Sequence, residues 1–258
     1  MSLEHDRRGA GEPLVLVHGI GGEWRVWGPV LDALAARHDV IAVSLPGHGG
    51  PDDGTPATVA AYCDRLERFF GEVGIERPHL AGNSTGGGIA LELARRGSVR
   101  SATAVSPIGF WTDRERSGCI AQLRLTRALA RAGALDALMG SAAGRTATLA
   151  TGFGRPWRTP PDEARALLAK LARAPAFDAT LAEFRRYRFS RGDELRGVPV
   201  TVAWGSRDAL LYHFRQAPRA RRMLPWARHV TLPGCGHIPF WDDPELCASV
   251  LLAGAHAA

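Results

Sequence analysis

Residues 79–88 read His79-Leu80-Ala81-Gly82-Asn83-Ser84-Thr85-Gly86-Gly87-Gly88. A short apolar run after Pro78 breaks at a serine that has glycine two places before it and two places after it. From there to about residue 96 the pattern is helical. A buried strand that turns sharply into a helix reads this way, and the turn lifts one hydroxyl above the end of a sheet. The glycines have a steric reason. With Ser84 in a strained turn, a side chain at position 82 or 86 would meet neighbouring backbone, while Gly87 and Gly88 let the helix pack closely. Glycine accounts for 30 of 258 residues, so the five-residue pattern is weak alone and depends on the strand before it and the helix after it.

The same alternation extends in both directions. Leu14–Val17 ends at His18-Gly19, Val40–Leu45 at Pro46-Gly47, Ala102–Val105 at Ser106-Pro107, Val198–Trp204 at Gly205 and His229–Leu232 at Pro233-Gly234. Short unbroken apolar runs of this kind mark strands covered on both faces. Helical patterns fall between them at 28–36, 58–72, 86–96, 211–224 and 243–253. Alternating strands and helices require right-handed crossovers and a mostly parallel sheet with helices on both faces, so the expected fold class is α/β.

Residues 107–196 break this rhythm. Their apolar residues recur at helical spacing (Ile120, Leu123, Leu125; Leu167, Leu168, Leu171; Phe177, Leu181, Phe184) with no convincing strand among them. The expected organisation is a core of residues 1–106 and 197–258 with a helical cap, 107–196, inserted between two core strands. Open parallel sheets bind ligands outside the carboxyl ends of their strands, and a segment leaving just after Val105 is placed to roof that site.

Composition narrows the function classes. The charged fraction of 22% and hydrophobic fraction of 45% are ordinary globular proportions, against a disordered, collagen-like or coiled-coil chain. No stretch reaches the roughly 18 apolar residues that span a bilayer, and the amino terminus is polar where a signal peptide needs an apolar run, so a cytoplasmic protein with no membrane partner is expected. Cys63, Cys119, Cys235 and Cys247 show no ligand spacing, which predicts reduced thiols and no metal site. The formal charge is +6. Lys170 is the sole lysine and arginine recurs throughout, as coding bias alone produces, so no nucleic-acid partner is expected. The charge is unevenly placed: residues 107–196 hold 16 basic and 9 acidic side chains.

An exposed serine on such a turn needs a base to take its proton and a carboxylate to fix that base's tautomer. Asp208 follows the fifth buried run and His237 the sixth, so both leave the sheet at the edge where Ser84 sits, in the order Ser, Asp, His that this architecture uses. A tetrahedral intermediate needs two donors aimed at its oxyanion. The backbone N–H of Thr85 is one. The second is expected from His18-Gly19-Ile20-Gly21-Gly22, with Ile20 favoured and Gly21 an alternative; His18 itself reads as structural.

Leu14–Trp27, Pro46-Gly47-His48-Gly49, Gly82–Gly88, Gly205–Asp208 and Cys235–Asp243 together resemble an α/β-hydrolase of the capped esterase and lipase type. The likeness spans roughly residues 13–107 and 197–253, and is more specific for fold and triad than for substrate. Only 13 residues precede the first clear strand, fewer than that family's leading antiparallel hairpin needs, so an abbreviated sheet edge is expected. Haloalkane dehalogenases and epoxide hydrolases resemble this sheet but attack with an aspartate where this chain has Ser84. Cofactor-free haloperoxidases share the triad and cannot be separated by motif. The Gly82-Asn83-Ser84 and Gly87-Gly88 sequences are also similar to carbon–carbon bond hydrolases of ring-cleavage pathways.

Plainer roles suit several conspicuous residues. Trp24, Trp27 and Trp241 read as packing residues, His48 as structural, Asp242 and Asp243 as caps of the last helix, and the cap arginines as solvated surface. The sequence therefore predicts a serine hydrolase acting on a small-molecule ester or related acyl compound without a cofactor. Carbon–carbon bond hydrolysis and a non-catalytic binding homologue are the alternatives. An acidic substrate follows only if Arg114, Arg116, Arg124, Arg127, Arg155 or Arg158 faces inward. Acyl length and oligomeric state are not encoded legibly.

Overall fold

The computed structural model describes residues 2–256. Among them seven strands form one sheet: β1 (His5–Arg8), β2 (Pro13–Val17), β3 (Asp39–Val43), β4 (His79–Asn83), β5 (Ser101–Val105), β6 (Val200–Gly205) and β7 (Arg228–Leu232). Their spatial order is β1-β3-β2-β4-β5-β6-β7. Every neighbouring pair is parallel except β1 with β3.

Both faces of the sheet are covered, which is why its strands read as unbroken apolar runs. Leu14, Leu16, Val40 and Ala42 pack on one face with Leu31 and Leu34 of α1 (Gly28–Ala35) and Val250 and Leu251 of α9 (Pro244–Ala255). The alternate residues Val15, Val17, Ile41 and Val43 pack on the other with Leu66 and Phe69 of α2 (Val59–Glu72) and Ile89 and Leu93 of α3 (Thr85–Arg95). Trp27 is wholly buried and its ring lies 4.1 Å from that of Phe240, a packing role as expected.

The sheet edge is abbreviated, as expected, but one strand precedes the first apolar run. His5-Asp6-Arg7-Arg8 forms a strand, from His5 opposite Val43 to Arg8 opposite Val40. Its side chains are polar because an edge strand faces water, and charge there discourages pairing with other chains. Arg7 holds Asp39 of β3 through two hydrogen bonds of 3.0 and 2.6 Å. The sheet edge is thus a single antiparallel strand.

Between β5 and β6 the described residues are helical: α4 (Asp113–Arg131), α5 (Ala142–Leu149), α6 (Pro161–Arg173) and α7 (Phe177–Phe184), with α8 (His213–Met223) following β6. α4 begins with a capping box, Thr112 accepting from Glu115 N–H while the Glu115 carboxylate accepts from Thr112 N–H, which satisfies two otherwise orphaned donors. Ile120 and Leu123 of α4 and Phe177, Leu181 and Phe184 of α7 join the core beneath the sheet. Leu135, Met139, Leu149, Phe153, Ala164 and Leu168 form a separate cluster. The segment is therefore fastened to the sheet on one side and carries a small core of its own on the other.

The chain leaves β2 for β3 on one side and later returns past β2 to β4 and β5 on the other. Connections that diverge in this way open a crevice at the strand ends, here between β2 and β4.

Candidate active site

Register sets the neighbours in that crevice. Val17 pairs with Gly82, so His18-Gly19 and Asn83-Ser84 leave the sheet side by side, and a Cβ on Gly19 would come within 2.9 Å of Ser84 Cβ. Ser84 has φ 58° and ψ −112°, a conformation that costs a non-glycine residue about 1–3 kcal/mol. Three hydrogen bonds pin it: Ser84 N–H donates to Val105 O at 2.9 Å, and Ser84 O accepts from Gly88 and Ile108 N–H at 3.1 Å. The flanking glycines behave as their spacing implies. A Cβ on Gly82 would overlap the Gly86 carbonyl, and one on Gly86 would overlap those of Val17 and His18.

Asp208 and His237 meet at the same edge, both buried. Asp208 Oδ1 accepts from the N–H groups of Leu210 and Leu211 at 3.0 and 2.8 Å, and Oδ2 lies 2.9 Å from His237 Nδ1. An ionised carboxylate only accepts, so Nδ1 carries the proton and Nε2 is left as the basic nitrogen. The main-chain O of His237 accepts from Asn83 Nδ2 at 2.9 Å, tying the His237 loop to the residue before Ser84. Ser84 and His237 line one pocket. Among the described residues no hydrogen bond joins Ser84 Oγ to His237 Nε2.

The loop after β2 supplies amides beside Ser84. Gly21 N–H donates to His48 Nδ1 at 3.2 Å and Gly22 N–H to Gly19 O at 3.1 Å, which commits the alternative donor Gly21, whereas among the described residues neither Gly19 nor Ile20 N–H has a hydrogen-bond partner. Thr85 N–H opens α3, where the first-turn amides have no helical partner and the helix dipole favours negative charge. His18 and His48 are structural, as expected. Leu45 N–H donates to His18 Nε2 at 2.9 Å while His18 Nδ1 donates to Gly19 O at 2.6 Å. Burial depresses His18 to about 4 and His48 to about 3, so both stay neutral at physiological pH.

The pocket over Ser84 is apolar. Its cavity of about 130 Å³ is walled by Leu123, Leu149, Phe153, Leu168, Leu171 and Leu210, with Gln122, Thr126, Thr148 and Thr151 among its polar groups and, among the described residues, no Asp, Glu, Lys or Arg in the lining. None of the six arginines considered from the sequence faces it. Arg127 reaches Asp178 and the carbonyls of Ala172 and Ala174, Arg155 reaches Asp242 and Asp243, Arg158 the Asp242 carbonyl and Arg116 Asp113.

The model of the alpha/beta hydrolase family matches residues 14–250. The chain belongs to that family. This hydrolase is 32% identical over 252 residues, 92% of its length and 96% of the relative's, to a pimeloyl-[acyl-carrier protein] methyl ester esterase of Aromatoleum aromaticum. It is 30% identical over 196 residues, 72% of its length and 89% of the other's, to an epoxide hydrolase of Mycobacterium tuberculosis. The crystal structure of an enol-lactonase from Burkholderia xenovorans LB400 superposes with a TM-score of 0.77 over 97% of this chain and 95% of that one; at 16% identity the likeness is one of fold.

One sequence expectation needs correction. Asp243 caps α9, accepting from Leu246 N–H, but Asp242 does not. It is wholly buried and accepts from the N–H groups of Gly154, Arg155 and Gly236. Asp242-Asp243-Pro244-Glu245 reads locally as a helix start, and the partners Gly154 and Arg155, 88 and 87 residues away, leave no local trace. Sequence reading also missed the pair between Lys170 of α6 and Glu23 beside the β2 loop, 2.7 Å apart, and the tie from Asn83 to His237.

Proposed function

We propose that this hydrolase cleaves a neutral carboxylic ester with a short apolar acyl group through an acyl-enzyme. Ser84 Oγ attacks the carbonyl carbon, His237 Nε2 takes the hydroxyl proton, and Asp208 holds the ring and stabilises the imidazolium. The N–H groups of Ile20 and Thr85 hold the oxyanion. When the tetrahedral intermediate collapses, the C–O bond to the alcohol breaks and His237 returns the proton to that leaving oxygen. Water then attacks the acyl-enzyme, giving up its proton to His237, and the acid departs as Ser84 Oγ is reprotonated. Residues 107–196 act as a cap over a core formed by 1–106 and 197–258.

The observation that carries this reading is that Ser84, strained at its turn, shares one pocket with a buried His237 whose proton is fixed on the Asp208 side. The acyl class follows from the wall. Burying a carboxylate without a partner is far costlier than burying methylenes, and an apolar cavity of about 150 Å³ holds a benzene-sized guest, which favours acyl groups of about four to six carbons.

The test is labelling by a fluorophosphonate, with the mass increment located by peptide sequencing. Modification of Ser84, loss of labelling in Ser84→Ala and a fall in kcat of roughly 10⁴-fold or more in that variant are expected. On p-nitrophenyl esters, butyrate and hexanoate should outrun dodecanoate. An unlabelled folded protein, or turnover of a vinylogous 1,5-diketone and no ester, overturns the reading.

A further inference from the structure

The loop that carries His237 is not supported by the sheet alone. Residues 152–155, between α5 and α6, lie directly against residues 234–238. Ile238 N–H donates to Gly152 O at 2.8 Å, and Arg207 Nη1 donates to Gly154 O at 3.1 Å. The approach is so close that both strips of backbone need glycine: a Cβ on Gly154 would overlap Gly234 O, and one on Gly236 would lie 2.5 Å from Gly154 N.

Asp242 sits where these strips meet. Its Oδ2 accepts from Gly236 N–H at 2.7 Å and Gly154 N–H at 2.8 Å, and its Oδ1 from Arg155 N–H at 2.6 Å. Gly236 is the residue before His237, whereas Gly154 and Arg155 belong to the segment whose Gly152 and Phe153 wall the pocket. Burial raises the pKa of this carboxyl above the ordinary carboxylate value, while the three N–H donors that converge on it favour the ionised, acceptor-only form. Charge-assisted bonds of this kind are about twice as strong as neutral ones. Arg155 and Arg158 close the outer side, each donating from Nη1 to Asp242 O at 3.0 Å.

We propose that Asp242 is a positioning residue: it clasps the Gly152–Arg155 strip of the pocket roof to the Gly236–His237 turn, so that one carboxylate sets both where the imidazole stands and where the acyl wall stands. This rests on the reading of Ser84 and His237 given above. Without the clasp the contact between the two loops rests on the Ile238 and Arg207 bonds to the Gly152 and Gly154 carbonyls and on Ile238 and Trp241 packing against the cluster that holds Phe153, and a misplacement of about 1 Å in a base can cost on the order of a hundredfold in rate.

Asp242→Asn tests it with shape preserved. An amide can accept at only one of the two oxygen positions, so its NH₂ must face either Arg155 N–H or the Gly236 and Gly154 pair. For the variant, assayed where circular dichroism shows it fully folded, the expectation is a fall in kcat of about 10–100-fold with KM for p-nitrophenyl butyrate within about threefold. The fluorophosphonate labelling rate should fall in parallel, and the downfield Nδ1 proton resonance of His237 should shift or broaden. A purely structural role would lower the urea midpoint and leave folded-state kcat and that resonance alone. That outcome overturns the proposal, as does an unchanged labelling rate in Asp242→Asn beside a labelled wild type. A wild type that takes no label overturns the Ser84 reading first and this inference with it. If Asp242→Asn does not fold, hydrogen exchange on the wild-type protein decides: the amides of Gly154, Arg155 and Gly236 should be protected and open together, and fast independent exchange of Gly154 and Arg155 overturns the clasp.

Discussion

At the residue scale the site depends on histidines that do different work because their surroundings differ. His237 has a carboxylate partner in Asp208, whereas His18 and His48 hydrogen-bond to main chain and threonine and are buried. Burial lowers His18 to about 4 and His48 to about 3 from an ordinary 6.5. These two groups take up protons more readily unfolded than folded. Below about pH 6.5 the unfolded chain gains protons that the native state refuses, so the stability they contribute is complete above pH 6.5 and is lost as pH falls towards 4. Each contributes a slope of up to about 1.4 kcal/mol per pH unit in that window. Burial lowers His79, and partial burial lowers His213 and His229, in the same direction. The urea midpoint should therefore fall between pH 7 and 5 at constant m, and His48→Gln should flatten the fall. A midpoint that does not move over that range would show these rings to be free to charge in the native state.

At the scale of elements, the helical segment is joined to the site by short relays. Gly21 N–H donates to His48 Nδ1, His48 Nε2 donates to Thr180 Oγ1 of α7 at 3.2 Å, and Thr180 donates to Ala176 O at 2.9 Å. Thr180→Val keeps the volume and removes the acceptor, leaving a buried imidazole N–H unpaired, which costs about 1–3 kcal/mol. Because His48 also holds the loop that contains Ile20, kcat/KM should fall with stability; equal urea midpoints for variant and wild type would break the relay. These links were invisible in the sequence, and the reason is physical. Strands β2 to β6 were legible because burial on both faces makes each an apolar run with Gly or Pro near its end, and β7, an edge strand whose residues are mostly exposed or half-buried, was legible by its place before Pro233-Gly234. Ser84, Asp208 and His237 were legible because each lies just past such an end. β1 was not, since an edge strand of His5-Asp6-Arg7-Arg8 carries no hydrophobic period. Asp242 was misread because an Asp before Asp-Pro-Glu has a local meaning, while its actual partners, Gly154 and Arg155, are set by loop packing that leaves no periodic trace.

For the whole molecule the question is what its charge does. The net charge is +6, and the excess lies in residues 107–196, the segment that supplies Leu123, Leu149, Phe153, Leu168 and Leu171 to the pocket wall. Such a distribution favours anionic ligands only if the field reaches the reacting centre. Of the arginines that could have supplied it, Arg116, Arg127, Arg155 and Arg158 turn to carboxylates and carbonyls of their own surroundings and Arg114 and Arg124 are exposed, while the pocket wall is mostly leucine, phenylalanine and threonine. Exposed charge is screened over about 8 Å at physiological salt, whereas desolvating an unpaired carboxylate within an apolar wall costs several kcal/mol at any salt concentration. The local cost decides against the distant attraction. For a matched pair of esters, one ending in methyl and one in carboxylate, kcat/KM should favour the neutral compound by more than about tenfold. Raising salt from about 0.02 to 0.5 M should change the neutral value by less than about twofold. If the carboxylate ester is instead the better substrate at low salt and loses that advantage as salt rises, the basic surface steers substrate after all, and the segment must open to bring arginines to the pocket.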